Sequence, residues 1–103
     1  MNTFNDRERA FENKYAHDQK MIFKAVARRN RKLGLWAAGL LGKTGEAAES
    51  YALEVIRADF EEAGHEDVVR KLKADLGDLA DDATIRARME DFLSEAKAEL
   101  ADG

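Results

Sequence analysis

The sequence predicts an all-α protein, a four-helix bundle with a long first helix, and three observations carry that prediction. Apolar residues recur at spacings of three and four along four segments, and no stretch alternates with period two for long enough to argue for a strand. Proline is absent, so no helix is interrupted by a ring that removes an amide donor. Turns of a few residues join the segments, and such short connections force neighbouring helices to pack together.

The first helix is expected from Asn5 to Leu41, in two halves of different chemistry. Thr3 and Asn5 both suit its N-cap, since either side chain can accept a bond from an otherwise unpaired amide. Asp6 and Glu8 follow in the first turn, where carboxylates suit the positive helix end. Phe4, Phe11 and Tyr15 fall on one face at steps of seven and four. That stripe lapses from Ala16 to Lys20 and resumes at Met21/Ile22, continuing through Val26, Leu33, Trp36 and Leu40. The front half is therefore the part least able to hold itself on a core, expected to be detached or disordered and offered to a partner. Two units follow from this: residues 1–20 as an interaction segment and residues 21–103 as the bundle. Gly34 and Gly39 each cost roughly 1 kcal/mol relative to Ala, a cost that close approach of a second helix beneath Trp36 would explain.

Gly42-Lys43-Thr44-Gly45 is the clearest turn, with Gly42 suited to a left-handed C-cap and Thr44 to the next N-cap. Helix two, Glu46 to Ala63, is expected to bury Ala48, Tyr51/Ala52, Val55/Ile56 and Phe60, and Gly64 ends it. Helix three, Glu66 to Leu76, presents Val68/Val69, Leu72 and Leu76. After an Asp-rich turn, Asp81 or Asp82 caps a last helix that runs to about Leu100 with Ile85, Met89, Phe92/Leu93, Ala96 and Leu100 as its stripe.

A chain of 103 residues without a linker-like stretch is one domain. It has no Cys, which excludes disulfides and thiolate metal sites. No apolar run of about 18 residues could span a bilayer, and the charged start lacks the apolar centre of a secretory signal. The net charge of −4 is split: residues 1–43 hold ten Lys/Arg against four Asp/Glu, and the remaining sixty hold seven against seventeen. The two parts attract each other, but over distances screened to about 10 Å, so apolar packing must set the register.

Candidate chemistry is sparse. His17 and His65 stand far apart with no second His or Cys at ligand spacing, so no metal is expected. Asp75, Asp78, Asp81 and Asp82 lack the ligand pattern of a calcium loop. No nucleophile motif occurs, and Gly42-Lys43-Thr44-Gly45 lacks the spaced glycine of a phosphate loop. The chain is therefore not expected to be an enzyme, and no cofactor is implied. In the run Arg28-Arg29-Asn30-Arg31-Lys32, helical geometry puts Arg28, Arg31 and Lys32 on one face and Arg29 towards the Trp36 side. Such a cluster could hold phosphates, but the acidic chain offers no aromatic interleaving, so nucleic acid is not an expected partner. The front stripe has two readings: its rings fold back onto the bundle, or they anchor in a groove on another protein.

The runs Thr3-Phe4-Asn5-Asp6-Arg7-Glu8-Arg9-Ala10-Phe11-Glu12, Lys14-Tyr15-Ala16-His17-Asp18, Phe23-Lys24, Ala27-Arg28-Arg29-Asn30 and Leu33-Gly34-Leu35-Trp36-Ala37-Ala38 resemble the zeta subunit of alpha-proteobacterial F-type ATP synthases, the ATPase-inhibitor subunit. The resemblance continues through Tyr51-Ala52, Val55-Ile56, Asp59-Phe60, Gly64 and Glu66-Asp67-Val68; beyond Leu72 only the helical pattern agrees. It implies a bundle that binds the catalytic head and blocks ATP hydrolysis. Its N-terminal segment would insert at a catalytic interface between alpha and beta subunits and reach towards the gamma subunit of the central stalk. Carried over, the contacts are Thr3, Phe4, Asp6, Arg7, Glu8, Arg9, Phe11, Glu12, Lys14, Tyr15 and Asp18. The resemblance also implies a cytoplasmic protein, monomeric when free, held at the inner membrane only through the synthase. The alternative function is a small helical module binding ATP or ADP weakly through Arg28, Arg31 and Lys32. A further expectation is that His17, at the break between the halves, makes docking depend on pH.

Overall fold

The computed structural model describes residues 3–60 and 64–102, with side chains from Asp6 to Phe60 and from Gly64 to Ala101. It has five α-helices: α1 Thr3–Tyr15, α2 Gln19–Leu40, α3 Gly45–Ala58, α4 Glu66–Leu76 and α5 Asp82–Asp102, with one 3₁₀ turn at Gly77–Leu79. No strand occurs among the described residues. The expected N-caps Thr3 and Asn5 have side chains outside the described set, as do residues 61–63 at the expected end of helix two.

The expected single first helix is two helices, and Asp18 supplies the reason. Its backbone is extended, at φ −94° and ψ 99°, and its carboxylate accepts from the Met21 amide at 3.2 Å. A short carboxylate competes with the backbone inside a helix but stabilises a helix start. The Asp18 amide in turn donates to the Tyr15 carbonyl at 2.9 Å, which closes the turn. The break falls where the apolar stripe lapses, so it exposes nothing that needs burial. The expectation of a detached or disordered front half gives way to a helical α1 laid along α5.

The core is built by α2, α3, α4 and α5. Leu33, Val55, Val68, Leu72 and Ile85 are fully buried in one cluster with Ala37, Ala38, Tyr51, Leu76 and Met89. Gly34 permits the closest crossing, because a Cβ there would lie 2.6 Å from the Ala52 Cα of α3. That bears out the close approach expected at Gly34. Gly39 has open space around it, so the same reading does not extend to it.

Gly42, at φ +76°, ends α2 as expected. The Lys43 amide donates to Ala38 O at 2.8 Å and the Gly42 amide to Gly39 O at 3.1 Å, the paired bonds of a Schellman ending. Thr44 holds the N-cap position of α3 without a side-chain cap bond. Asp81 caps α5 by accepting from the Thr84 amide at 2.8 Å.

Two apolar expectations are corrected. Phe60 is 64% exposed, because α3 stops at Ala58 and the Asp59 carboxylate turns towards Arg29 and His65 instead of continuing the helix. Leu40 is also exposed, at the last turn of α2.

Candidate interaction segment

α1 carries most of the residues that the sequence nominates for a partner, and the structure divides them by face. Phe11 is 1% exposed and its ring lies 5.1 Å from that of the half-buried Tyr15. Lys14 is exposed, with its ammonium 5.3 Å from the Tyr15 ring centre, a cation over an aromatic face. Glu12 pairs with Lys97 of α5. Asp6, Arg7 and Arg9 are exposed and Glu8 is half-buried. Asp18 is spent on capping α2. The side chains of Thr3 and Phe4 lie outside the described set. Of the two readings of the front stripe, the rings at Phe11 and Tyr15 therefore fold back onto the rest of the chain here.

α1 packs mainly on one neighbour. Its packing surface is α5, with only a slight contact to α2, and the link to α2 is the three residues Ala16–Asp18. His17 in that link is exposed. α5 itself is anchored on its other side: Lys32 donates to Glu95 at 3.3 Å and to Glu99 at 2.8 Å, and Arg28 donates to Glu99 at 3.2 Å.

These pairs also decide the fate of the basic cluster. Arg28 and Lys32 face α5, whereas Arg31 crosses to Glu49 of α3 with bonds of 2.8 and 3.0 Å. Carboxylates thus already neutralise all three cations, and the cluster is divided between two neighbours. Lys32 shows the balance: burial lowers its ammonium pKa, and the Glu99 and Glu95 bonds raise it by more.

A buried polar cluster sits where sequence reading placed none. Arg29 is 2% exposed and donates through Nε and Nη2 to Asn30 Oδ1 at 3.0 and 2.8 Å. Its Nη2 also meets His65 Nδ1 at 3.0 Å and Asp59 Oδ2 at 3.8 Å. Burial lowers the guanidinium pKa, against the opposing pull of Asp59 and Asp67. Arg29 is four residues before Leu33 and seven before Trp36, on the apolar stripe itself, and that phase was the signal available. Beside this cluster lies a cleft of about 250 Å³ lined in part by Phe23, Ile56, Phe60 and His65, and the rings of Phe23 and Phe60 touch, with centres 5.8 Å apart. Among the described residues no group of three His, Cys, Asp or Glu could hold a metal ion, and no helix is long and apolar enough to cross a membrane.

Comparison with known proteins agrees with this architecture. A solution NMR structure of a protein 55% identical in sequence superposes with a TM-score of 0.74, covering 80% of this chain and 96% of that one. No curated protein matches the chain significantly. The profile of a family described as ATPase inhibitor subunit zeta matches residues 1–99, nearly the whole length. The chain belongs to the ATPase inhibitor subunit zeta family.

Proposed function

We propose that this chain inhibits ATP hydrolysis by an F-type ATP synthase by inserting residues 1–20 at a catalytic interface between alpha and beta subunits, reaching the gamma subunit, with residues 21–103 as the mount. One observation carries the reading: α1 is a separate amphipathic helix on a three-residue link, held on its apolar side mainly by α5. An inhibitor of a rotating machine needs no chemistry of its own. It must bind one rotational state better than the others, and an interface whose gap changes during rotation can admit a helix in one state and jam in the next.

In this reading Phe4, Phe11 and Tyr15 are the apolar anchors, and Thr3, Asp6, Arg7, Glu8, Arg9, Glu12, Lys14 and Asp18 set orientation and encounter rate. Because Phe11 is buried against the rest of the chain, α1 leaves α5 before it inserts. Asp18 gives up its capping bond if the break straightens. The protein acts in the cytoplasm, monomeric until it meets the synthase and peripheral to the membrane. Nucleotide binding through Arg28, Arg31 and Lys32 gains no support, since each already has a carboxylate partner.

The test is steady-state ATP hydrolysis by the cognate isolated catalytic head, titrated with the full chain and with a version lacking residues 1–18. The expected result is inhibition by the full chain and none by the truncation. Equal inhibition by both would place the inhibitory surface on the bundle.

A further inference from the structure

Several of the side chains that the proposed function gives to the synthase are already engaged at home. Phe11 is buried, Tyr15 is half-buried and Glu12 is paired with Lys97, all while α1 lies on α5. One face cannot be covered by two surfaces at once. Insertion and self-docking therefore draw on the same population of α1, and each lowers the apparent affinity of the other by the fraction it occupies.

We propose that the C-terminal half of α5, residues 92–101, is a built-in competitor that holds α1 away from the synthase, with Lys97 as the charged contact that sets the strength of the hold. The inference rests on α1 being the inhibitory segment.

Three features of α5 suit it to this role. First, it stays in place when α1 departs, because Ile85, Met89 and Ala96 are buried away from α1, and Glu95 and Glu99 pair with Lys32 and Arg28 of α2 at the rim of that packing. Second, Lys97 lies 200° around the helix from both Glu95 and Glu99, so the cation and the two carboxylates address different neighbours. Lys97 reaches Glu12 of α1, whereas the carboxylates reach α2. Third, the release costs α5 little at its own core stripe, since Ile85, Met89 and Ala96 are buried with the cluster formed by α2, α3 and α4 or on the same helical face as its members. The contact itself is of the weak kind: the Lys97 side chain is 20% exposed and that of Glu12 47%, where an ion pair changes an equilibrium by a small factor. A weak hold is what a competitor needs if the partner is to win.

The experiment measures the inhibition constant against the cognate catalytic head together with the amide spectrum of α1. Lys97→Glu places a carboxylate against Glu12 and should free α1. The expected result is an inhibition constant lower by about 3- to 10-fold, with the amide resonances of residues 6–15 moving away from their docked positions. Because the chain has no Cys, a pair introduced at positions 12 and 97 can be bridged by a short bismaleimide. Bridged protein should inhibit far more weakly than the same pair blocked singly at each thiol, a control that already carries the loss of the Glu12 side chain. Lys97→Glu inhibiting no better than the unaltered chain, or bridged protein inhibiting as strongly as the singly blocked pair, overturns the competition. If neither the unaltered chain nor Lys97→Glu inhibits while the α1 resonances still move, the inhibitory reading itself has failed and takes the competition with it.

Discussion

The α2–α3 crossing and the α1–α5 docking are both helix pairs, yet they are built to opposite ends. At the first, Gly34 sits against the Ala52 backbone among Leu33, Ala37, Val55 and Ala52, all 1% exposed or less. At the second, among the described residues, Phe11 is fully buried, its neighbour Tyr15 only half, and the cross-helix ion pair is partly exposed to water. Close-packed small residues lock a crossing, because neither helix can move without opening a void. An aromatic contact with a part-exposed rim, on a helix joined by a short link, can open without the rest of the fold. In the proposed function the bundle is the mount and α1 the arm.

The largest test of that contrast is Gly34→Val. Even the first added carbon lies 2.6 Å from Ala52 Cα, and backbone cannot yield as a flexible side chain does. Overpacking of this kind costs about 3 kcal/mol or more, so thermal or denaturant unfolding of the whole protein should shift markedly. Phe11→Ala should behave differently. Truncating a buried Phe in a core costs roughly 3–5 kcal/mol, but here the loss is limited to the docking free energy of α1, about 1–2 kcal/mol. Chemical shifts in α1 should collapse towards those of an isolated peptide while α2 to α4 keep theirs. A Phe11→Ala protein as destabilised throughout as Gly34→Val would merge the two regions into one.

A smaller effect follows from Tyr51, whose hydroxyl donates to Asp75 at 2.7 Å while Lys71 lies 5.0 Å from its ring centre. Burial, and then the Asp75 carboxylate, hold the phenol well above its usual range. As pH rises past about 10 the unfolded phenol ionises and the folded one does not, so the unfolded state binds fewer protons and stability falls. Lys71 adds to the same loss: burial works against its charge, but the Asp75 and Glu54 bonds raise its pKa overall, so its contribution is present below about pH 10 and fades above it. At the acid end, burial disfavours the Asp75 carboxylate, and the bonds from Lys71 and Tyr51 outweigh it, so its pKa is lowered. Stability from Asp75 is therefore present above about pH 4 and lost as pH falls below it. Tyr51→Phe should cost about 1 kcal/mol at neutral pH and reduce the alkaline slope, measured by urea unfolding from pH 7 to 11. An unchanged slope would show that the phenol ionises freely.

The smallest effect has the opposite sign. Gly39 meets nothing within 4 Å of an added Cβ, so Gly39→Ala should stabilise α2 by about 0.5–1 kcal/mol. Two glycines five residues apart on one helix would then differ in sign as well as size.

Much of the bundle was legible because its sequence is locally consistent. Helix boundaries at Gly42, Glu66 and Asp81 rest on cap and turn chemistry that acts within a few residues, and the core stripes follow from spacing alone. What escaped depended on distant partners. Asp18 looked like one more surface acid in a long helix, until its choice of the Met21 amide divided that helix in two. Phe60 kept the helical phase of α3 and still faces water, because Asp59 turns to Arg29, thirty residues away in the chain. Arg29 lies on an apolar stripe that disfavours a cation, and Asn30, Asp59, Asp67 and His65 together make its burial affordable. For the interaction segment, the spacing places Phe11 and Tyr15 on one face and leaves open whether the chain itself or a partner covers it. It could not say that α5 would cover it.

Native-state hydrogen exchange as a function of low denaturant tests the division into arm and mount most directly. The slowest amides of α1 are expected to exchange through a local opening of low free energy and little denaturant dependence, while those at Leu33, Val55 and Leu72 exchange only on global unfolding. If α1 amides exchange with the same free energy and the same denaturant slope as the core, then α1 is an integral helix of the bundle and the account of a releasable arm is wrong.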